Sequence, residues 1–126
     1  MKKEFARTQR VSQLLREEIS RLLQREVKDI RIGLVTVTDV EVTSDLKHAT
    51  VFVQVTGDEV RKTEALRGLA SAAGFIRGRL GRELRIRRTP ELHFQVDRTQ
   101  ERAARIHQLL SEVEAEGEPA EGDDDE

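Results

Sequence analysis

The chain of 126 residues has no cysteine, tryptophan or tyrosine, only two prolines, and no long apolar run. Without cysteine there are no disulfides and no thiolate chemistry. No apolar stretch approaches the roughly twenty residues that cross a bilayer, and charges run through the first twenty residues, unlike a signal segment. We therefore expect a soluble cytoplasmic protein with one domain and no membrane association.

Patterns typical of catalysis and of metal or cofactor binding are also missing. His48, His93 and His107 are far apart in sequence and form no His-x-x-x-His pair, so we predict no metal site. There is no phosphate-binding Gly-x-x-x-x-Gly-Lys element and no dinucleotide fingerprint. The serines lack the sequence setting of an activated nucleophile. The sequence predicts neither an enzyme nor a cofactor.

The four phenylalanines are the only aromatic residues apart from the histidines. Proteins that read single-stranded bases usually present exposed rings for stacking. Phe75 and Phe94 lie in apolar patterns and are expected in the core. If the protein binds nucleic acid, recognition of shape and backbone is favoured over base stacking.

The net charge of -2 conceals a strong asymmetry along the chain. All 22 Lys and Arg residues lie at or before Arg105, whereas residues 112–126 contain nine acids and no base. Residues 1–111 thus hold 22 basic and 15 acidic residues, a net charge of +7. An arginine-rich body suits a polyanionic partner, because neutralised phosphates release condensed counterions.

Periodicity predicts an α+β fold with the order helix, strand, strand, kinked helix, strand, helix, in which helices cover one face of a three-stranded sheet. The predicted elements are a helix over 5–27, strands over 34–42 (with one irregularity), 49–55 and 91–97, a helix from 59 to about 81 and a helix over 98–113. Gly33 is a predicted turn residue, and residues 56–58 are expected to cap the second helix. Residues 1–113 form the predicted domain, and the acidic residues 114–126 are expected to be disordered.

The second helix contains Ala72-Ala73-Gly74, where we expect a bend between two half-helices. Exposed backbone N–H groups at such a bend could approach a phosphate closely. Six arginines follow within residues 77–88, with Glu83 as the only acid among them. A literal Gly78-Arg79-Leu80-Gly81 also occurs, but the apolar face continues across it, so Gly81 is expected to end the helix.

Several sequence blocks, in this order and at these spacings, resemble the bacterial ribosome-binding factor A family. They include residues 3–11, 23–31 and 42–49, and most strongly Ala72-Ala73-Gly74-Phe75-Ile76-Arg77, Leu80-Gly81 and Pro90-Glu91-Leu92. The resemblance covers about residues 3–99. Ile30 stands where many relatives have proline.

The resemblance implies a type II KH-like fold, with Ala72-Ala73-Gly74 as the family's Ala-x-Gly kink in place of the Gly-x-x-Gly loop of ordinary KH domains. It implies a non-enzymatic factor for late maturation of the small ribosomal subunit, which binds free 30S subunits and 16S rRNA and supports 5′-end processing and growth in the cold. Small-subunit ribosomal proteins and an assembly GTPase are possible further partners, and we expect a monomer. The candidate RNA-contacting residues are Arg7, Arg10, Ala72, Ala73, Gly74, Arg77, Arg79, Arg82, Arg85, Arg87 and Arg88.

Two other interpretations stay open. One is a generic KH-type protein that acts on non-ribosomal RNA and prefers particular short single strands. The other is a protein-interaction domain whose acidic tail is the active part. For the arginines of the first helix, the competing role is ion pairing with Glu4, Glu17 or Glu26, each pair worth only about 0.3 kcal/mol.

Overall fold

The computed structural model describes the backbone of residues 2–124 and the side chains of residues 5–116. Three helices and three strands follow one another in the predicted order. They are α1 (Lys2–Arg25), β1 (Val35–Val42), β2 (His48–Val55), α2 (Glu59–Leu84), β3 (Glu91–Val96) and α3 (Thr99–Asp124). The α+β class is therefore confirmed. None of the described helices is long and apolar enough to cross a membrane.

The first helix packs one apolar face against the sheet. Leu15, Ile19 and Leu22 recur at helical spacing and are completely buried. Burial of such side chains stabilises the fold by about 1.5–3 kcal/mol each. Arg7 and Arg10, near the start of the helix, are exposed.

The first two strands lie where the sequence predicts them and pair as an antiparallel hairpin. Their register shifts between Val37 and Asp39, which confirms the predicted irregularity as a β-bulge. In the turn, Asp45 accepts hydrogen bonds from the Thr43 hydroxyl and from the Lys47 amide. These bonds stabilise the carboxylate and lower the pKa of Asp45.

The third strand pairs with β2 in parallel, after the chain has crossed over through α2. The register sets His48 opposite Glu91. Alternate residues of β2 are fully buried beneath the helices, namely Ala49, Val51 and Val53. On the other face of the sheet, His48 and His93 are exposed.

The second helix is one element of 26 residues, and its helical assignment continues through Ala72, Ala73 and Gly74. No break in the helical assignment separates the two predicted half-helices. Ala72 packs against the core, whereas a Cβ at Gly74 would meet nothing within 4 Å. Within a regular helix the backbone N–H groups at these positions are directed along the helix axis to carbonyls of the preceding turn.

The predicted end of α2, near Gly81, is three residues too early. The helix continues to Leu84, and Arg85 takes the left-handed conformation at its C-cap with φ of 53°. The N-terminal cap agrees with the prediction, since the Asp58 side chain accepts a hydrogen bond from the Arg61 amide.

The two phenylalanines that were expected in the core differ in their placement. Phe94 of β3 packs against the core. Phe75 is 47% exposed, because the buried stripe of α2 runs through Ile76 instead. Its ring is therefore available at the surface of the second helix.

The third helix is attached to the domain at its first turn. Asp97 accepts hydrogen bonds from the backbone and hydroxyl of Thr99 and from the Thr38 hydroxyl of β1. Arg98 pairs with Glu59 at the start of α2, with a shortest distance of 2.8 Å. These contacts fix where α3 begins.

Beyond its first turn, α3 does not pack on the sheet as predicted. Every described side chain from Glu101 to Glu116 is exposed, including the apolar residues Ile106, Leu109, Leu110 and Val113. Its helical backbone reaches Asp124, which differs from the disorder expected for 114–126; the last two residues lie outside the described part. The division of the chain at residues 113 and 114 stays a prediction.

Two glycines of α2 provide a matched test of its packing. At Gly68 a Cβ would lie 2.9 Å from Cγ1 of buried Ile32 and 3.2 Å from Cβ of Arg31, so Gly68→Ala should destabilise the protein by about 1–3 kcal/mol through overpacking. At Gly74 the space is open, so Gly74→Ala should stabilise it by about 0.5–1 kcal/mol through helix propensity. Urea unfolding of both variants measures the difference. Destabilisation by Gly74→Ala would indicate that the helix bends there after all.

The Asp97 contacts should make stability depend on pH. Hydrogen bonds from Thr38 and Thr99 lower the pKa of Asp97 from 3.8 to about 2 in the folded protein. Because the folded pKa lies below the unfolded one, the stabilisation is present above pH 3.8 and is lost as pH falls toward about 2. The midpoint of thermal unfolding should therefore fall more steeply over this range in the wild type than in Asp97→Asn. Parallel curves for the two proteins would contradict this role.

Candidate nucleic-acid interface

One groove, with a volume of about 590 Å³, collects basic residues from four separate parts of the chain. Its walls are the start of α1, the turn between β1 and β2, α2 at Arg77, and the segment that joins α2 to β3. We call it the cationic groove. Its lining comprises Arg7, Val11, Asp45, Leu46, Lys47, His48, Arg77, Ile86, Arg87, Arg88, Thr89, Pro90 and Glu91.

The groove has a positive balance of charge. It contains four arginines and Lys47, against the carboxylates of Asp45 and Glu91, which gives a net charge of +3 with His48 neutral. Asp45 is already hydrogen-bonded within its own turn. The concave shape focuses this potential, so the groove favours an anionic ligand.

Arg7, Arg87 and Arg88 are the groove cations best placed to bind phosphate. All three are exposed. Among the residues with described side chains, 5–116, none of the three has a hydrogen-bond or ion-pair partner. Arg7 is not paired with Glu17 or Glu26, which contact Gln13 and Arg79 instead, and Glu4 lies outside the described side chains. The guanidinium groups of Arg7, Arg87 and Arg88 can each offer two parallel N–H donors to a phosphate.

Arg77 also lines the groove, but it has an intramolecular role. Its Nε donates to the Pro90 carbonyl at 3.0 Å, and its Nη2 donates to the Thr89 carbonyl at 2.9 Å. The side chain thereby ties α2 to the segment that carries Arg87 and Arg88. Arg77 holds one wall of the groove in place.

Arg79 is committed to another contact. Its Nη2 lies 2.6 Å from the Glu26 carboxylate, and its guanidinium carbon lies 5.9 Å from the centre of the Phe75 ring. The ion pair joins α2 to the residue that follows α1. Fewer of its donors are left for an external anion.

The remaining candidate residues lie outside the cationic groove. Arg10, Arg82 and Arg85 are exposed, but they do not line it. Ala72 lines a second groove of about 500 Å³, together with Ile30 and Phe75. Ala73 is half-buried, and Gly74 faces open space. The structure thus brings together Arg7, Arg77, Arg87 and Arg88, and separates them from the alanine and glycine segment.

Sequence reasoning missed Lys47, His48 and Glu91 as part of this surface. Lys47 and His48 lie far from Glu91 in sequence. They meet because β2 and β3 pair in parallel, with the Glu91 amide donating to the Lys47 carbonyl at 2.8 Å. In the sequence, the lysine between the first two predicted strands is the only residue that points to this surface. Its position next to Glu91 depends on the parallel register of β2 and β3, which is a property of the fold.

Comparison with known proteins identifies the family. The family model described as Ribosome-binding factor A matches residues 7–110. The chain belongs to the ribosome-binding factor A family. Ribosome-binding factor A from Thioalkalivibrio sulfidiphilus is 44% identical over 126 residues, covering 100% of this chain and 98% of that protein. Ribosome-binding factor A from Halothermothrix orenii is 48% identical over 118 residues, covering 94% and 95%.

Solved structures of ribosome-binding factor A share the fold. The crystal structure of the Thermus thermophilus protein matches with a TM-score of 0.64 and 28% identity, covering 71% of this chain and 93% of the other. A homology model of the Thermus thermophilus protein, fitted into a cryo-EM map of a complex with the 30S subunit, matches with a TM-score of 0.53 and 32% identity, covering 68% and 93%. The family resemblance of the sequence blocks is thus confirmed in sequence and in fold.

Two substitutions compare Arg77, which is hydrogen-bonded to the backbone, with Arg82, which is exposed. Arg77→Ala removes the donors to two backbone carbonyls and should cost about 1.5–3 kcal/mol of unfolding free energy. Arg82→Ala removes an exposed arginine and should change it by no more than about 0.5 kcal/mol. Urea unfolding monitored by circular dichroism gives both values. Equal values for the two variants would show that Arg77 does not anchor the segment.

Proposed function

We propose that this protein is a ribosome-binding factor for late maturation of the 30S subunit, and that the cationic groove contacts the sugar-phosphate backbone of 16S rRNA. The observation that carries the proposal is the meeting of Arg7, Arg87 and Arg88 at one concave surface, in a chain of the ribosome-binding factor A family. The fitting of a related protein into a 30S complex supports the choice of partner.

The expected mode of binding follows from the chemistry of the groove. Guanidinium groups and Lys47 supply charge and hydrogen bonds to phosphates, which position a protein on RNA without reading its sequence. The single phenylalanine of α2, Phe75, lies by the second groove, away from these cations. The proposed contact therefore depends on the shape of folded rRNA and not on stacking of single-stranded bases.

The finer biological role belongs to the same proposal. We infer that binding accompanies processing of the 5′ end of 16S rRNA and supports growth in the cold. Ribosomal proteins of the small subunit and an assembly GTPase are further proposed partners, and the protein is proposed to act without catalysis as a cytoplasmic monomer. Family membership supports these assignments, and the cationic groove is the surface through which they would act.

Neutralising the free groove arginines should weaken binding to the small subunit. In Arg7→Gln/Arg87→Gln/Arg88→Gln, three exposed cations without described partners are removed, so stability should be little changed. Each lost phosphate contact should lower the slope of log K against log salt concentration by about one. Sedimentation with purified free 30S subunits over a series of salt concentrations measures both the affinity and this slope.

The matched control removes the same charge elsewhere. Arg16, Arg25 and Arg105 are exposed arginines that do not line the cationic groove. Their triple glutamine variant should keep most of the affinity for the 30S subunit. Equal loss of affinity in the two triple variants would contradict the placement of the interface in the groove.

The same assay distinguishes the other interpretations. Preference for short RNA strands over 30S subunits would favour a generic KH-type protein. Loss of 30S binding on deletion of residues 114–126, with binding unchanged in the groove variant, would favour the acidic segment as the active part. We expect neither result.

A further inference from the structure

Two histidines and a glutamate meet on the open face of the sheet. The proposed RNA contact does not assign a role to these three side chains as a group. His48 begins β2, and Glu91 and His93 lie on the adjacent strand β3. The parallel register sets His48 opposite Glu91, and His93 follows two residues later on the same face. All three side chains are exposed.

The ligand atoms of these residues are close together. His48 Nδ1 lies 3.1 Å from His93 Nε2, and His93 Nε2 lies 3.8 Å from Glu91 Oε1. One ligand atom from each residue falls within 4.8 Å of the other two. The two imidazole rings are stacked, with centroids 5.3 Å apart and an angle of 28° between their planes.

These separations suit a shared metal ion. Zinc binds histidine nitrogen at about 2.0–2.1 Å, so two nitrogens on one tetrahedral zinc lie roughly 3.3 Å apart. The observed separation of 3.1 Å between the two histidine nitrogens is close to this value. The glutamate oxygen lies 3.8 Å from His93 Nε2, so the exposed Glu91 side chain has to move toward the two nitrogens to complete the set of ligands.

We propose that His48, Glu91 and His93 form a binding site for a divalent transition metal ion of the zinc class. Imidazole nitrogens prefer Zn²⁺, Ni²⁺ and Cu²⁺ over Mg²⁺ and Ca²⁺, which prefer oxygen ligands. Two histidines and one carboxylate supply three protein ligands, and the fourth position is left for water or another ligand. This site departs from the sequence-based expectation of no metal binding.

Strand pairing favours the site, because it holds the backbones of the three residues in place before the ion arrives. Glu91 is fixed by its amide hydrogen bond to the Lys47 carbonyl. His48 is fixed at its backbone by the pairing of Thr43 with the start of β2. A preformed set of ligands loses less conformational freedom on binding than a flexible one.

The site also borders the cationic groove, since His48 and Glu91 contribute to its lining. A bound divalent ion would add two positive charges at this wall and offset the carboxylate of Glu91. Metal binding does not require that the groove binds rRNA, so it can be tested on the isolated protein.

Calorimetric titration of the full, tag-free chain with ZnCl₂ tests the site. The buffer should be free of chelators and mildly alkaline, because protons compete with a metal ion for its ligands. We expect one Zn²⁺ per chain. His48→Gln and His93→Gln should each lower the affinity by at least about tenfold, which corresponds to about 1.4 kcal/mol.

His107 provides the matched control, because it is an exposed histidine on α3, away from the three ligands. His107→Gln should leave the affinity unchanged. A second readout is thermal unfolding, in which Zn²⁺ should raise the midpoint of the wild type and of His107→Gln but not of His48→Gln/His93→Gln. Binding that is equally weak in all variants, or that depends on His107 as strongly as on His93, would overturn the proposal.

Discussion

The parallel pairing of β2 with β3 is the constraint on which the surface of this protein depends. Hydrogen bonds at both ends of the pair, from the Glu91 amide to Lys47 and from the Asp97 amide to Val53, fix the register over the length of β3. A shift by one residue would turn Leu92 toward solvent and bring its neighbours beneath the helices. The buried side chain of Leu92 therefore holds the hairpin turn and the basic segment before β3 in one place.

The second helix must cross over the sheet to make this pairing possible. Residues along the helix allow the close packing that this crossover requires. Gly68 lets α2 approach the backbone at Ile32, while Leu69 and Leu80 fill the space above the strands. At the far end Arg77 binds the carbonyls of the returning chain. The arginine that looks like a phosphate ligand in sequence is part of the connection between helix and sheet.

Sequence predicts the elements of this fold better than its site. The bulge near Val37 and the cap at Asp58 follow from local rules. The small residues 72–74 favour a bend, but the helical assignment continues through them, because one glycine costs a helix only about 1 kcal/mol, which packing on one side can offset. The site depends instead on contacts between distant parts of the chain. Spacing does not distinguish free arginines from paired ones, and the meeting of His48 with His93 requires the strand order, which periodicity does not give.

Because α3 extends away from the domain with exposed side chains, the charge of the molecule is unevenly distributed, and this affects its approach to a charged partner. At about 1.5 Å per residue its 26 residues span roughly 39 Å, and the exposed acids Glu112, Glu114 and Glu116 lie in its second half. The last basic residue of the chain is Arg105, so the excess of positive charge lies in the domain and the excess of negative charge at the other end of the helix. Such a separation gives the molecule a permanent dipole moment, and the field of a polyanion exerts a torque on it. This torque would orient the basic side of the domain toward the polyanion before contact. A larger fraction of collisions would then have the orientation needed for binding.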